Sequence, residues 1–116
     1  MLPKQYRLKK RSAFNATYKV KNSSHKGGVT LFAGILKKDD TPTKVGFVVS
    51  KKVHKRAVKR NRLKRLMRES YRILLKEDNV GNSQRFMSLV FIGTERALGK
   101  SFSEIKSSIS KMLERI

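Results

Sequence analysis

Residues 57–76 read Ala-Val-Lys-Arg-Asn-Arg-Leu-Lys-Arg-Leu-Met-Arg-Glu-Ser-Tyr-Arg-Ile-Leu-Leu-Lys, and two different faces are written into them. Leu63, Leu66, Met67, Ser70, Tyr71 and Leu74 recur at helical spacing and form one continuous, largely apolar stripe. At ~100° per residue, Asn61, Arg65, Arg68 and Arg72 fall on a narrow stripe on the opposite side, with Lys64 beside it. The spacing predicts a helix over 57–76 that packs one side on a sheet and presents a row of guanidinium groups on the other. Between Lys51 and Arg68 there are ten Lys or Arg and no acid. A merely solvated face normally interleaves both signs. Lys52, Lys55, Arg56, Lys59 and Arg60 crowd the start of the helix, where the macrodipole is already positive and an acidic cap is missing. A bound phosphate would relieve that repulsion. Arginine suits phosphate because its rigid fork meets two oxygens at once.

Working outward, the elements on either side supply the sheet. Phe86 to Ile92 is almost wholly apolar and reads as a central strand. Val29 to Leu36 alternates, with Val29, Leu31, Ala33 and Ile35 on one face and Thr30, Phe32, Gly34 and Leu36 on the other. Lys44 to Ser50 reads as a further strand, expected to pair with 29–36 as a hairpin across the turn residues Asp39, Asp40 and Pro42. Residues 1–11 form a basic arm, Ser12 is placed to cap a short helix over 13–21, and 22–28 is expected to be a loop. A closing helix over 101–115 buries Phe102, Ile105, Ile109, Met112 and Leu113, and Ser101 with Glu104 makes a capping box. The fold class is α/β (α+β), with helices packed on a small sheet in a single domain spanning 1–116.

Charge narrows the function. The 116 residues carry 29 Lys and Arg against 8 Asp and Glu, a net charge of +21. Self-repulsion on that scale is usually offset by a polyanion, whose condensed counterions are released on binding. There is no Cys, which excludes disulfides and Cys-type zinc sites and fits a reducing compartment. The basic N-terminus has no apolar stretch behind it, so a signal peptide or membrane anchor is not expected, and a cytoplasmic location is. A polybasic membrane-surface module would need exposed bulky apolar residues on an amphipathic helix, but here the apolar stripe is needed for the core. His25 and His54 have neither a carboxylate nor a second His nearby in sequence, and the acids are scattered. No catalytic residue and no protein-held metal are therefore expected, which argues against a stand-alone nuclease. Phe14 and Tyr18 share a helix face, and with Phe32 they would make a stacking platform for unpaired bases if the three converge. From spacing alone, ordinary core packing is the simpler account of them.

Val49-Ser50-Lys51-Lys52, Ala57-Val58, Arg60-Asn61-Arg62-Leu63-Lys64-Arg65 and Arg68-Glu69-Ser70 together resemble the signature of the bacterial ribonuclease P protein family, and Arg7-Leu8-Lys9 with Phe14 and Tyr18 resembles its N-terminal pattern. The resemblance runs over nearly the whole chain. It implies an αβββαβα order with a left-handed crossover, against the usual right-handed rule. It assigns docking on the catalytic RNA to Arg60, Asn61, Arg62, Lys64, Arg65 and Arg68. It assigns a cleft for the single-stranded 5′ leader of precursor tRNA to Phe14, Tyr18, Phe32, Val48 and Ser50, with Lys51 and Lys52 on phosphate at its edge. It further implies an RNA catalyst, Mg²⁺ held mainly by that RNA, and one protein per RNA. The sequence departs from the family pattern at His54, where Gly is common, at Val48, where a small polar residue is common, and near Thr94, where Arg96 is the nearest replacement for a frequent Arg. The competing function is that of a ribosomal or other structural RNA-binding protein, which shares the charge but gives no reason for the spacing of Arg60, Asn61, Lys64 and Arg65.

Overall fold

The computed structural model describes residues 3–116. Three helices and four strands follow in the order α1 (Arg11–Lys19), β1 (Asn22–Lys26), β2 (Val29–Ala33), β3 (Lys44–Val48), α2 (Ala57–Lys76), β4 (Ser88–Gly93) and α3 (Phe102–Arg115). The strands form one mixed sheet in the order β1-β2-β4-β3. β1 with β2 and β2 with β4 are antiparallel, and β3 with β4 is parallel, with α2 as the crossover between them. The expected hairpin between 29–36 and 44–50 does not form. β4 lies between those two strands because Leu89, Val90 and Phe91 are buried on both faces, and only an interior position of the sheet hides both.

Alternation along the strands gives the sheet two unlike faces. One carries Val29, Leu31 and Ala33 of β2, Leu89 and Phe91 of β4, and Val45 of β3, all buried. Onto it pack Leu63, Met67, Tyr71 and Leu74 of α2 and Ile105, Ile109, Met112 and Leu113 of α3. Each such side chain contributes roughly 1.5–3 kcal/mol on leaving water. The Phe91 ring sits between Phe47 and Tyr71, with both centroids 5.6 Å away. The Tyr71 hydroxyl accepts from Gln84 Nε2 at 2.7 Å, and burial pushes its pKa up to about 12. Gly93 lets α2 come close, since a Cβ there would strike the Leu63 side chain. The opposite face carries α1 over part of its width and is otherwise open.

The helix ends follow their chemistry. α3 starts on Ser101, whose hydroxyl accepts from the Glu104 N–H at 3.2 Å while the Glu104 carboxylate accepts from the Ser101 N–H at 3.1 Å. α2 has no side-chain cap and no acid in its first turn. α1 starts at Arg11, with Lys10 at the N-cap and no side-chain bond, so Ser12 is inside the helix rather than capping it. The basic N-terminal arm is docked from Lys4 onward. A 3-10 turn spans Lys4–Tyr6, Arg7 bridges to Val45, and the Leu8 N–H donates to the Val45 carbonyl at 2.9 Å. Met1 and Leu2 lie outside the described residues.

Candidate nucleic-acid interface

α2 holds its cations outward because its apolar stripe is fixed against the sheet. Asn61 and Arg65 are exposed on the outer face with Lys64 and Arg68 half-buried beside them, whereas Arg62 is half-buried on a flank and Arg60 is half-buried on the apolar side of the first turn. Among the described residues no carboxylate comes within ion-pair distance of any of these cations. Arg62 Nη2 lies 3.5 Å from the Lys100 carbonyl, and the Nε of Arg60 is buried without a hydrogen-bond partner. Arg72 does not continue the row. Its Nε donates to both Glu69 oxygens at 3.1 Å, and this pairing holds the Glu69 carboxyl below the usual range. From Arg56 to Arg68 the row is about 18 Å long at 1.5 Å per residue, enough to follow several backbone phosphates. Lys51 and Lys52 are exposed in the turn that leads from β3 toward α2. His54, which sequence reasoning left without a role, steers the entry to the helix, its Nδ1 accepting from the Arg56 N–H at 3.0 Å.

The second part of the site is the open sheet face. α1 runs across the strands there. The Phe14 ring covers Gly46 of β3, where a Cβ would collide with it. Thr17 donates to the Ala13 carbonyl at 2.9 Å, so the Ser88 hydroxyl of β4, 2.6 Å away, donates to Thr17. Tyr18 meets Phe32 of β2 edge to face, with centroids 5.2 Å apart, and burial raises the pKa of its hydroxyl. Tyr18 and Phe32 therefore meet over β2 while Phe14 lies two strands away over β3, all three half-buried and outside the main core. Next to the row that α1 roofs (Phe32, Val90, Gly46) lies a row that it leaves half-open: Thr30, Ile92 and Val48. The result is a groove parallel to α1, walled by aromatic rings and floored by Thr30, Ile92 and Val48. Ser50 is exposed just past the end of β3, next to Lys51 and Lys52. Thr30 and Ile92 escaped the sequence reading. Alternation places Thr30 on this face, but the apolar run around Ile92 hides its side of the sheet. Arg96 is exposed in a 3-10 turn after β4, and the neighbouring Thr94 hydroxyl donates to the Gly28 carbonyl at 2.6 Å.

Residues 2–116 match the sequence model of the family described as Ribonuclease P. The chain belongs to the ribonuclease P protein family. The ribonuclease P protein component of Clostridium kluyveri is 36% identical over 110 residues, covering 95% of this chain and 93% of that one. That of a Synechococcus strain is 34% identical, covering 99% and 84%. The Staphylococcus aureus ribonuclease P protein superposes with a TM-score of 0.78 at 26% identity, over 97% of this chain and 95% of that one. The Thermotoga maritima protein shares the fold, with a TM-score of 0.77 at 24% identity over 95% and 96%. These likenesses do not favour the ribosomal alternative. No helix among the described residues is long and apolar enough to cross a membrane.

Proposed function

We propose that this chain acts in tRNA processing as the protein subunit of ribonuclease P, with α2 docked on the catalytic RNA and the groove beside α1 holding the 5′ leader of precursor tRNA. The carboxylate-free row on α2, set beside a half-covered aromatic sheet face, carries the proposal. The row offers phosphate contacts, which give affinity and position, while the groove offers stacking surfaces that only an unpaired strand can use. Arg60, Asn61, Arg62, Lys64, Arg65 and Arg68 make the first surface. Phe14, Tyr18, Phe32 and Val48 make the second, with Ser50, Lys51 and Lys52 on the backbone at its edge.

Bond cleavage then belongs to the RNA, in a complex of one protein with one RNA. Mg²⁺ held mainly by the RNA would supply a polarised water and charge neutralisation at the phosphodiester. The described residues contain no cluster of three His, Asp or Glu fitted to a metal ion, so no step is assigned to a protein-held one. The protein's part is to screen repulsion between two RNAs and to bind leader-bearing tRNA better than mature tRNA. Reconstitution tests this. Adding the protein to a bacterial ribonuclease P RNA at low Mg²⁺ is expected to restore precursor cleavage, and Phe14→Ala with Phe32→Ala to reduce the preference for precursor. No stimulation by the wild-type protein would contradict the proposal.

A further inference from the structure

Resting on the leader-groove reading, we infer that His25, paired to Thr30 at the outer edge of the sheet, is an additional nucleobase station at the β1 end of the groove. The row that floors the groove does not end at Thr30. Register pairs Thr30 with His25 of β1, so the uncovered line runs Val48, Ile92, Thr30, His25 across all four strands. At ~4.8 Å between strands this line is ~14 Å long. The aromatic wall covers only part of the length, since Phe14 stands over β3 and Tyr18 over β2. Among the described residues, the one ring on this face beyond Phe32 is that of His25.

That ring is held in place. His25 Nδ1 lies 2.9 Å from Thr30 Oγ1, although the residue is exposed. If the threonine hydroxyl donates, Nε2–H points outward as a donor. If Nδ1–H donates, Nε2 is an outward acceptor. Either form offers a planar face and a polar edge, which is what an unpaired base recognises. A concavity of about 660 Å³ opens at this end, lined in part by His25, Lys26, Thr30, Thr94, Glu95 and Arg96. It is roomy enough for a base with its sugar and phosphate, and Lys26 and Arg96 outweigh Glu95 for that phosphate. The alternative is an exposed edge-strand histidine with no ligand, and that histidine would not distinguish one leader position from another.

The test uses the reconstituted holoenzyme and precursor tRNAs that carry a single abasic nucleotide at each leader position in turn. The wild type is expected to lose affinity over a short contiguous run of positions. His25→Ala is expected to bind the intact leader about fivefold more weakly, at the low end for one base–aromatic stack. It should also become insensitive to the abasic site at one end of the run only, and His25→Phe should restore that sensitivity. His25→Ala behaving as wild type at every position, or weakening mature tRNA equally, overturns the assignment while the groove stands. If Phe14→Ala with Phe32→Ala leaves the wild-type pattern intact, the groove reading fails and the His25 station falls with it.

Discussion

Replacing Gly46 by Ala isolates the packing that sets the width of the groove. Gly46 is buried in β3 and its φ is not positive, so space rather than backbone conformation requires glycine there. A Cβ at this position collides with the Phe14 ring and comes within 3.4 Å of Leu8 Cβ. Overpacking of this kind costs roughly 1–3 kcal/mol. Removing a strand glycine returns roughly 0.5–1 kcal/mol of backbone entropy, so the collision dominates over most of the range, with a net loss of up to ~2.5 kcal/mol. At ~4 °C per kcal/mol for a domain of this size, the Tm should fall by up to ~10 °C. The strain should be relieved by α1, which has nine residues, no side-chain cap and only Thr17 fully buried. Phe14 should then lift off the sheet. Thermal melts and competition between precursor and mature tRNA check both parts: preference for precursor should drop while affinity for the RNA subunit is kept. An unchanged or higher Tm together with unchanged leader preference would refute the placement of Phe14 on β3.

Glu69→Gln should free Arg72 to extend the cationic row, steepening the salt dependence of RNA binding by ~0.7–0.9 in log–log slope; an unchanged slope would place the end of the RNA-binding surface before Arg72. Ser101→Ala removes half of the α3 capping box and should cost about 1 kcal/mol, read as a lower midpoint in urea. The Glu104 carboxyl is held below the usual carboxylate range by its bonds to the Ser101 N–H and hydroxyl. Its stabilisation is therefore present above the unfolded carboxylate pKa of ~4.3 and is lost as the pH falls through the lower folded value. Melting temperature measured between pH 6 and pH 3 should accordingly drop less steeply for Glu104→Gln than for the wild type.

The α-helical half of the molecule was legible because its signals are local. The span of α2 and five of its six stripe residues in the buried set follow from 3.6-residue spacing, with Leu66 half-buried. The cap of α3 follows from Ser101 and Glu104. The sheet was less legible. β1 reads Asn-Ser-Ser-His-Lys and has no buried residue, so nothing in its side chains marks it as a strand. Its pairing is made by backbone groups, which every sequence carries. The misplaced hairpin has a similar origin, since partner choice rests on which strand must be hidden on both faces. Arg72 looked continuous with Arg65 and Arg68, and only the geometry shows its fork closed on Glu69. The placement of Phe14 over β3 and of Tyr18 against Phe32 depends on α1 crossing above Gly46, an approach invisible from spacing.

Everything turns on the outer face of α2 meeting RNA phosphates directly. The most direct test is the affinity of Arg65→Ala with Arg68→Ala for ribonuclease P RNA, measured across a salt series. Neither side chain has a carboxylate partner among the described residues, so the variant should melt close to the wild type. Its log–log salt slope should be shallower by ~1.5, because two arginines no longer neutralise phosphates. A wild-type slope in a folded variant would contradict the direct role of α2.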